Sequence, residues 1–325
     1  MAANGGKLTI CVGDIHGHAD RLYKLWHNLE LAVGATTEDF HKCTVIFLGD
    51  YCDRGLQTAQ VLDFLISLPR RYPQQKHVFL CGNHDLAFAA FVGALPDAPD
   101  GFQFKSTWAE FERSQEKEGW WSGDGEEDIH VQGRRWGGRI KITFNAVKGV
   151  AYQGSIYDAE PTFTSYGVAH GDRAGLLAAM PESHREFLRN LVWVHEQGDD
   201  TGDPKTSYTK LIAVHAGLES SKPVEPQLQS LRNRDVTAPR VEPLAGRKNV
   251  WNTPPELAEK GVLVVSGHHA HLYTNEKLRL IIDESGGLDL PIAAIILPSR
   301  VIVRDTDNEE SEALLEMAVP AIAGH

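Results

Sequence analysis

A chain of 325 residues, 42% hydrophobic and 23% charged, has the make-up of a soluble globular protein with one large core or two small ones. No apolar run approaches a membrane span, and the opening MAANGGKLTICV lacks the apolar stretch of a secretory signal, so no membrane partner is expected. A net charge of −12 argues against nucleic acid as a bulk partner, because phosphate backbones favour basic surfaces. Cys11, Cys43, Cys52 and Cys81 form no CxxC pair, and a reduced compartment, cytoplasm or nucleus, is expected.

In chain order, KLTICV (7–12) reads as a buried strand ended by Gly13-Asp14-Ile15-His16-Gly17. Leu22, Leu25, Trp26, Leu29 and Val33 then recur at helical spacing over 19–33. Strand 43–48 ends in GDYCDRG (49–55), and a helix over about 57–68 follows, with Pro69 and Pro73 expected to end it. Strand 77–81 leads to Gly82-Asn83-His84-Asp85 and a helix to about Leu95. Strand, polar loop and helix thus recur three times, which predicts a parallel α/β sheet with its ligand groups at the strand ends.

The pattern breaks between about 97 and 176. Four of the seven tryptophans fall between Trp108 and Trp136, and Arg134, Arg135 and Arg139 lie close by. This stretch is expected to be an inserted cap of helices and loops on a single catalytic domain (1–304), its tryptophans gluing a small subdomain together; the alternative is that Arg134, Arg135 or Arg139 face the site and help choose substrates. A helix over 182–196 is expected next, carrying His184 and His195. Strand 210–214 then ends in His215-Ala216-Gly217, and strand 262–266 in Gly267-His268-His269. Strands 278–283 and 292–297 are expected to finish a second sheet. Residues 305–325, with six acids and no base through Glu316, are expected to be a flexible tail.

The groups at the strand ends are Asp14, His16, Asp50, Asn83, His215 and His268. Oxygen and nitrogen donors without a thiolate suit two divalent ions such as Mn, Fe or Zn. Two metals about 4 Å apart clamp the oxygens of a phosphoryl displacement and lower the pKa of a bridging water. Asp50 is placed to bridge them. His84 follows Asn83 into the same space as a proton donor, and Asp53 is placed to hold its imidazole. Arg54 can grip phosphate with two prongs. Ala169-His170-Gly171-Asp172 echoes the motif letters but follows no convincing strand and reads as a loop.

GDIHG (13–17), GDYCDRG (49–55), GNHD (82–85), HAG (215–217) and GHH (267–269) together resemble the metallophosphoesterase signature in its phosphoprotein phosphatase variant. With VIFLGDYCDRG, QGRRWGGRIK and GRKNVW, the chain over about 7–307 is most similar to the plant Rhizobiales-like phosphatases. The resemblance implies a calcineurin-like α/β/β/α fold, two β-sheets flanked by helices. It also implies a first metal on Asp14 and His16, a bridging Asp50, and a second metal on Asn83, His215 and His268. By the same resemblance His84 with Asp53 is the acid pair, Arg54 binds phosphate, and Arg247 is the candidate second phosphate arginine; Arg134 and Arg135 are further candidates for substrate phosphate. Asp85 stands where most Ser/Thr phosphatases have glutamate. Ala270 stands where broader phosphodiesterases have a second histidine ligand.

The expected activity is hydrolysis of phosphoprotein monoesters by direct attack of a metal-bridging hydroxide, with the phosphotyrosine preference that the resemblance implies. No CxxxxxR loop is present for a cysteine nucleophile. The alternatives are a dinucleoside-polyphosphate or small-molecule phosphatase and an inactive phosphopeptide-binding module. Asp53, Arg54 and His84 argue against the module, since a binder needs no proton donor.

Overall fold

Alternation along the first strands sets the layers. Ile10, Val12, Val45 and Phe47 face a core under the helices, while Cys11, Ile46 and Leu48 face a second core between two sheets. The computed structural model describes residues 8–308 other than 35, 143, 147–148, 199–207, 275–276, 285–286 and 289. Its strands in chain order are β1 (Thr9–Val12), β2 (Thr44–Phe47), β3 (Lys76–Phe79), β4 (Phe144–Asn145), β5 (Val150–Ala151), β6 (His195–Gly198), β7 (Lys210–Ala213), β8 (Val262–Ser266), β9 (His271–Tyr273), β10 (Arg279–Asp283), β11 (Ala293–Leu297) and β12 (Val301–Arg304).

One sheet has the order β12-β11-β1-β2-β3 and the other β6-β7-β8-β10-β9. β1, β2 and β3 are parallel, as are β7, β8 and β10. Helices Ala19–Val33 and Thr58–Arg71 cover the first sheet, and Val224–Asn233 and Pro255–Glu259 belong to the cover of the second. This is the expected α/β/β/α arrangement. No helix among the described residues is long and apolar enough to cross a membrane.

Four expectations need correction. β11 joins the first sheet, antiparallel to β1, because an apolar run buried on both faces does not encode which sheet receives it. The helix 182–196 ends at Arg189, and His195 opens β6, whose partner β7 gives it an antiparallel ladder. The helix after the second motif runs through Pro69 to Arg71; a proline in the last turn disrupts little of the ladder behind it. Asp305 is no part of a loose tail. It is buried, pairs with Arg21 at 2.8 Å and accepts from the Ile292 amide at 2.8 Å. Residues from 309 on lie outside the described residues.

The 97–176 stretch forms short helices, turns and the small hairpin β4–β5. Its helix Val131–Gly137 lies against helix Asn83–Val92. Two glycines one turn apart permit this: a Cβ on Gly133 would lie 2.8 Å from the Ala90 carbonyl carbon, and one on Gly137 2.1 Å from the Phe91 ring. Gly137→Ala is therefore expected to destabilise the protein by about 1–3 kcal/mol through overpacking. Urea unfolding checks this, and an unchanged midpoint would mean that the Phe91 ring yields freely.

Candidate active site

The motif loops leave the carboxyl ends of β1, β2, β3, β7 and β8 and turn sharply. His16, Asp50, Asp53, Arg54 and His268 all have positive φ, between 49° and 72°. Such strain at non-glycine residues persists only where surrounding bonds over-determine it. Asp85 supplies them around Asp50: its carboxylate accepts from the amides of Asp50 (2.7 Å), Tyr51 (2.9 Å) and Gly82 (2.9 Å). Buried glycines let the loops meet. A Cβ on Gly82 would fall 2.0 Å from Asp50 Oδ1, and one on Gly267 2.1 Å from Asp14 Oδ1.

Asp50 Oδ2 lies between two imidazoles, 3.5 Å from His16 Nε2 and 3.3 Å from His215 Nε2. Its Oδ1 accepts from the His84 amide at 3.0 Å, in the first turn of helix Asn83–Val92. Asp14 Oδ2 is 3.7 Å from His16 Nε2, and Asp14 Oδ1 accepts from the His268 amide at 3.0 Å. Both imidazoles facing Asp50 have a fixed tautomer. His16 donates from Nδ1 to the Cys52 carbonyl (3.0 Å) and His215 from Nδ1 to the Leu48 carbonyl (2.6 Å), so each Nε2 is turned toward the centre.

These residues fit a pair of metal ions. Asn83 Oδ1, His215 Nε2 and His268 Nε2 are buried and make no hydrogen bond, and they are the three atoms expected on the second metal. Ligand atoms of Asp50, His215 and His268 lie within 4.8 Å of one another, as do those of His16, Asp50 and His84. The electrostatics ask for cations. Burial, then Asp283, pushes the Asp14 carboxyl well above its usual range. Burial opposes ionisation of Asp50, yet His215, His84 and His16 hold its carboxyl well below that range. Burial disfavours the charged His215, but Asp50 and Asp14 raise it to about 10, the pull that two buried carboxylates exert on any cation placed between them.

His84 and Asp53 are in contact. His84 Nδ1 donates to Asp53 Oδ2 at 2.7 Å, with Asp53 fully buried. Arg54, which can only donate, contacts Nε2 of His84 at 3.0 Å and Nε2 of His16 at 2.6 Å. The inserted stretch holds this half of the motif. Trp136 Nε1 donates to both Asp53 oxygens (3.1 and 3.0 Å), and Thr162 Oγ1 donates to Asp53 Oδ1 (2.8 Å) and accepts from the Asp53 amide (2.9 Å). The Asp158 carbonyl accepts from the Arg54 amide at 3.1 Å, and the Tyr157 ring meets His84 edge-on at 5.1 Å.

Arg134 and Arg135 are not brought to the centre as phosphate ligands. Arg134 is buried, donating to the Trp121 carbonyl (2.9 Å) and Glu126 (3.1 Å) over the Trp108 ring. Arg135 forms a two-pronged pair with Glu118 (2.7 and 2.9 Å). Acids inside the same glycine-rich stretch claim both guanidiniums, and Arg139 faces Glu160 at 3.4 Å. Arg247 does face the centre: it donates to the His268 carbonyl, and Asp14 and Asp50 are among the charges acting on it. His170 bonds the Gly138 carbonyl in a loop, as expected, and His184 joins Tyr166 to Asp63.

Trp136, Tyr157, Asp158 and Thr162 are the site residues that sequence reasoning missed. The glycine spacing of QGRRWGG was the available signal, since it marks a helix that must press against another. Asp283, buried beside Asp14 and accepting from the Ala270 amide (2.5 Å), was also missed.

The model of the calcineurin-like phosphoesterase family matches residues 8–294. Among solved structures, a candidate diadenosine tetraphosphatase is 17% identical, with a TM-score of 0.43, over 93% of this chain and 95% of that one. The cold-active protein-tyrosine phosphatase of a psychrophile, Shewanella sp., is 14% identical (TM-score 0.48; 92% and 78% covered). A protein serine/threonine phosphatase from Saccharomyces cerevisiae with similarity to human phosphatase PP5 is 14% identical (TM-score 0.44; 90% and 73% covered). The family match spans most of the chain and contains all five motifs, and the chain belongs to the calcineurin-like phosphoesterases, a family of hydrolases built on a dinuclear metal centre.

Proposed function

We propose that this protein is a phosphoprotein phosphatase that prefers phosphotyrosine, with Asp14, His16, Asp50, Asn83, His215 and His268 as its metal ligands. Two bound metals supply an activated water and a clamp on the phosphoryl oxygens. The chain's own groups do the rest: Arg54 and Arg247 orient the phosphate, and His84, held by Asp53, gives a proton to the leaving oxygen. The unbonded Nε2 atoms of His215 and His268 beside Asp50 carry the hydrolytic reading.

A cleft of about 490 Å³ supports the aryl preference. Arg54 and Asp158 line it together with Val150 and Ala151 of the inserted hairpin and Leu288 of the facing loop. His18, Gln153, Asp305 and Thr306 make the rest of its lining polar, so Val150, Ala151 and Leu288 give one apolar side, which an aromatic phosphate ester can touch and a short alkyl one cannot. Arg21 also lines the cleft, but its guanidinium is held by Asp305 and the carbonyls of Leu288 and Leu290.

The test is a panel of phosphotyrosine, phosphoserine and phosphothreonine peptides and diadenosine tetraphosphate, assayed with Mn, Fe and Zn. The phosphotyrosine peptide is expected to give the highest kcat/KM. Turnover of the dinucleotide alone would replace the protein substrate, and no turnover of any ester would favour a binding module.

A further inference from the structure

We propose that the inserted segment belongs to the catalytic machinery: Trp136 and Thr162 clamp the Asp53 carboxylate and through it aim His84 at the leaving oxygen. The inference rests on the phosphatase reading, in which His84 is the proton donor. In that step Arg54, which contacts His84 Nε2 in this arrangement, turns to the phosphate, and a proton on the freed Nε2 passes to the leaving oxygen, which keeps the electron pair of the broken P–O bond. The imidazole ends neutral, its Nδ1–H still on Asp53.

A buried carboxylate needs several donors to keep one orientation. Asp53 is fully buried, and its Oδ1 receives Thr162 and Trp136 while Oδ2 receives Trp136 and His84. Without the first two donors the carboxylate could rotate about its bond to Cβ, and His84 would turn with it. The clamp is itself rigid. Trp136 is fully buried, stacked on Phe88 (4.8 Å between centroids) and Phe163 (4.9 Å). Phe88 and His84 share one helix, and Gly133 and Gly137 set the distance of the tryptophan from it. Thr162 also touches Thr58 Oγ1 (3.1 Å), at the start of the helix after the motif. The segment thus fixes Asp53 from two sides. Trp136 and Thr162 are positioning residues.

Loss of a proton donor should show in the leaving group. p-Nitrophenolate departs as a stable anion and needs little protonation, whereas phenolate needs more. In the Mn-loaded enzyme, Trp136→Phe keeps the ring stack and removes the N–H, and Thr162→Val keeps the shape and removes the hydroxyl. Each is expected to lower kcat on phenyl phosphate by about 10–100-fold, as for other orienting groups, and on p-nitrophenyl phosphate by less than about threefold. KM and bound metal should hold. Circular dichroism and thermal unfolding identify a variant that fails to fold, and the other variant then decides.

Equal losses on both esters, or none, would overturn the clamp. His84→Asn run beside them separates the two ideas: if it discriminates between the esters and the clamp variants do not, only the clamp fails. If His84→Asn does not discriminate either, the proton-donor assignment fails and the clamp with it.

Discussion

Asp50→Asn is expected to empty the metal centre. Asp50 Oδ2 stands between Nε2 of His16 and Nε2 of His215, and both imidazoles already donate from Nδ1 to backbone carbonyls. An asparagine would keep its oxygen on the His84 amide and turn its NH₂ toward those Nε2 atoms, tying up the ligands that should face metal. Removing one member of a buried charge cluster costs about 3–5 kcal/mol, roughly 10²–10⁴ in metal affinity. Metal content per chain after dialysis reads the effect, and activity should fall with it. Thermal unfolding of the metal-free protein supplies a second readout. There the substitution removes a carboxylate that His215, His84 and His16 hold ionised, so the apo variant is expected to be less stable than the wild type. Full metal occupancy in the variant would remove the bridging role.

His84→Asn should do the opposite, sparing metal and losing rate. The backbone N–H to Asp50 survives in the asparagine variant, so the carboxylate keeps its orientation. What disappears is the proton and its 2.7 Å link to Asp53. A kcat lower by about 10²–10⁴-fold, the usual share of a general acid, is expected on phenyl phosphate, with metal content unchanged. Wild-type turnover would exclude His84 from the mechanism.

The parts of this site that could be read from the sequence are those that obey local rules. Asp14, Asp50, Asn83, His215 and His268 each follow a short apolar strand within a few residues, and parallel strands deliver their ends to one edge of a sheet. β11 obeyed the same local rule, but its sheet is decided by what else needs a partner, which no window of residues contains. The arginines misled for a related reason. Arg134 and Arg135 stand out as charge in a glycine-rich run, yet Glu126 and Glu118 lie within reach once that run folds back on itself. Thr162 carries no signal at all: a lone threonine becomes an Asp53 ligand only because the chain returns over the motif loop.

The placement of β11 also shapes how the protein is made. β1 pairs with it from Thr9 opposite Leu297 to Val12 opposite Ala294, so the strand that leads to Asp14 and His16 is completed from the far end of the described chain. On a ribosome adding about 5–20 residues per second, β1 waits roughly 15–60 s for that neighbour. Until then β2 protects one side of it and the other side is an open template for any extended chain nearby. In this interval the open edge of β1 is where association with other extended chains is expected, and the strand that leads to Asp14 and His16 gains its second ladder only when β11 has been made.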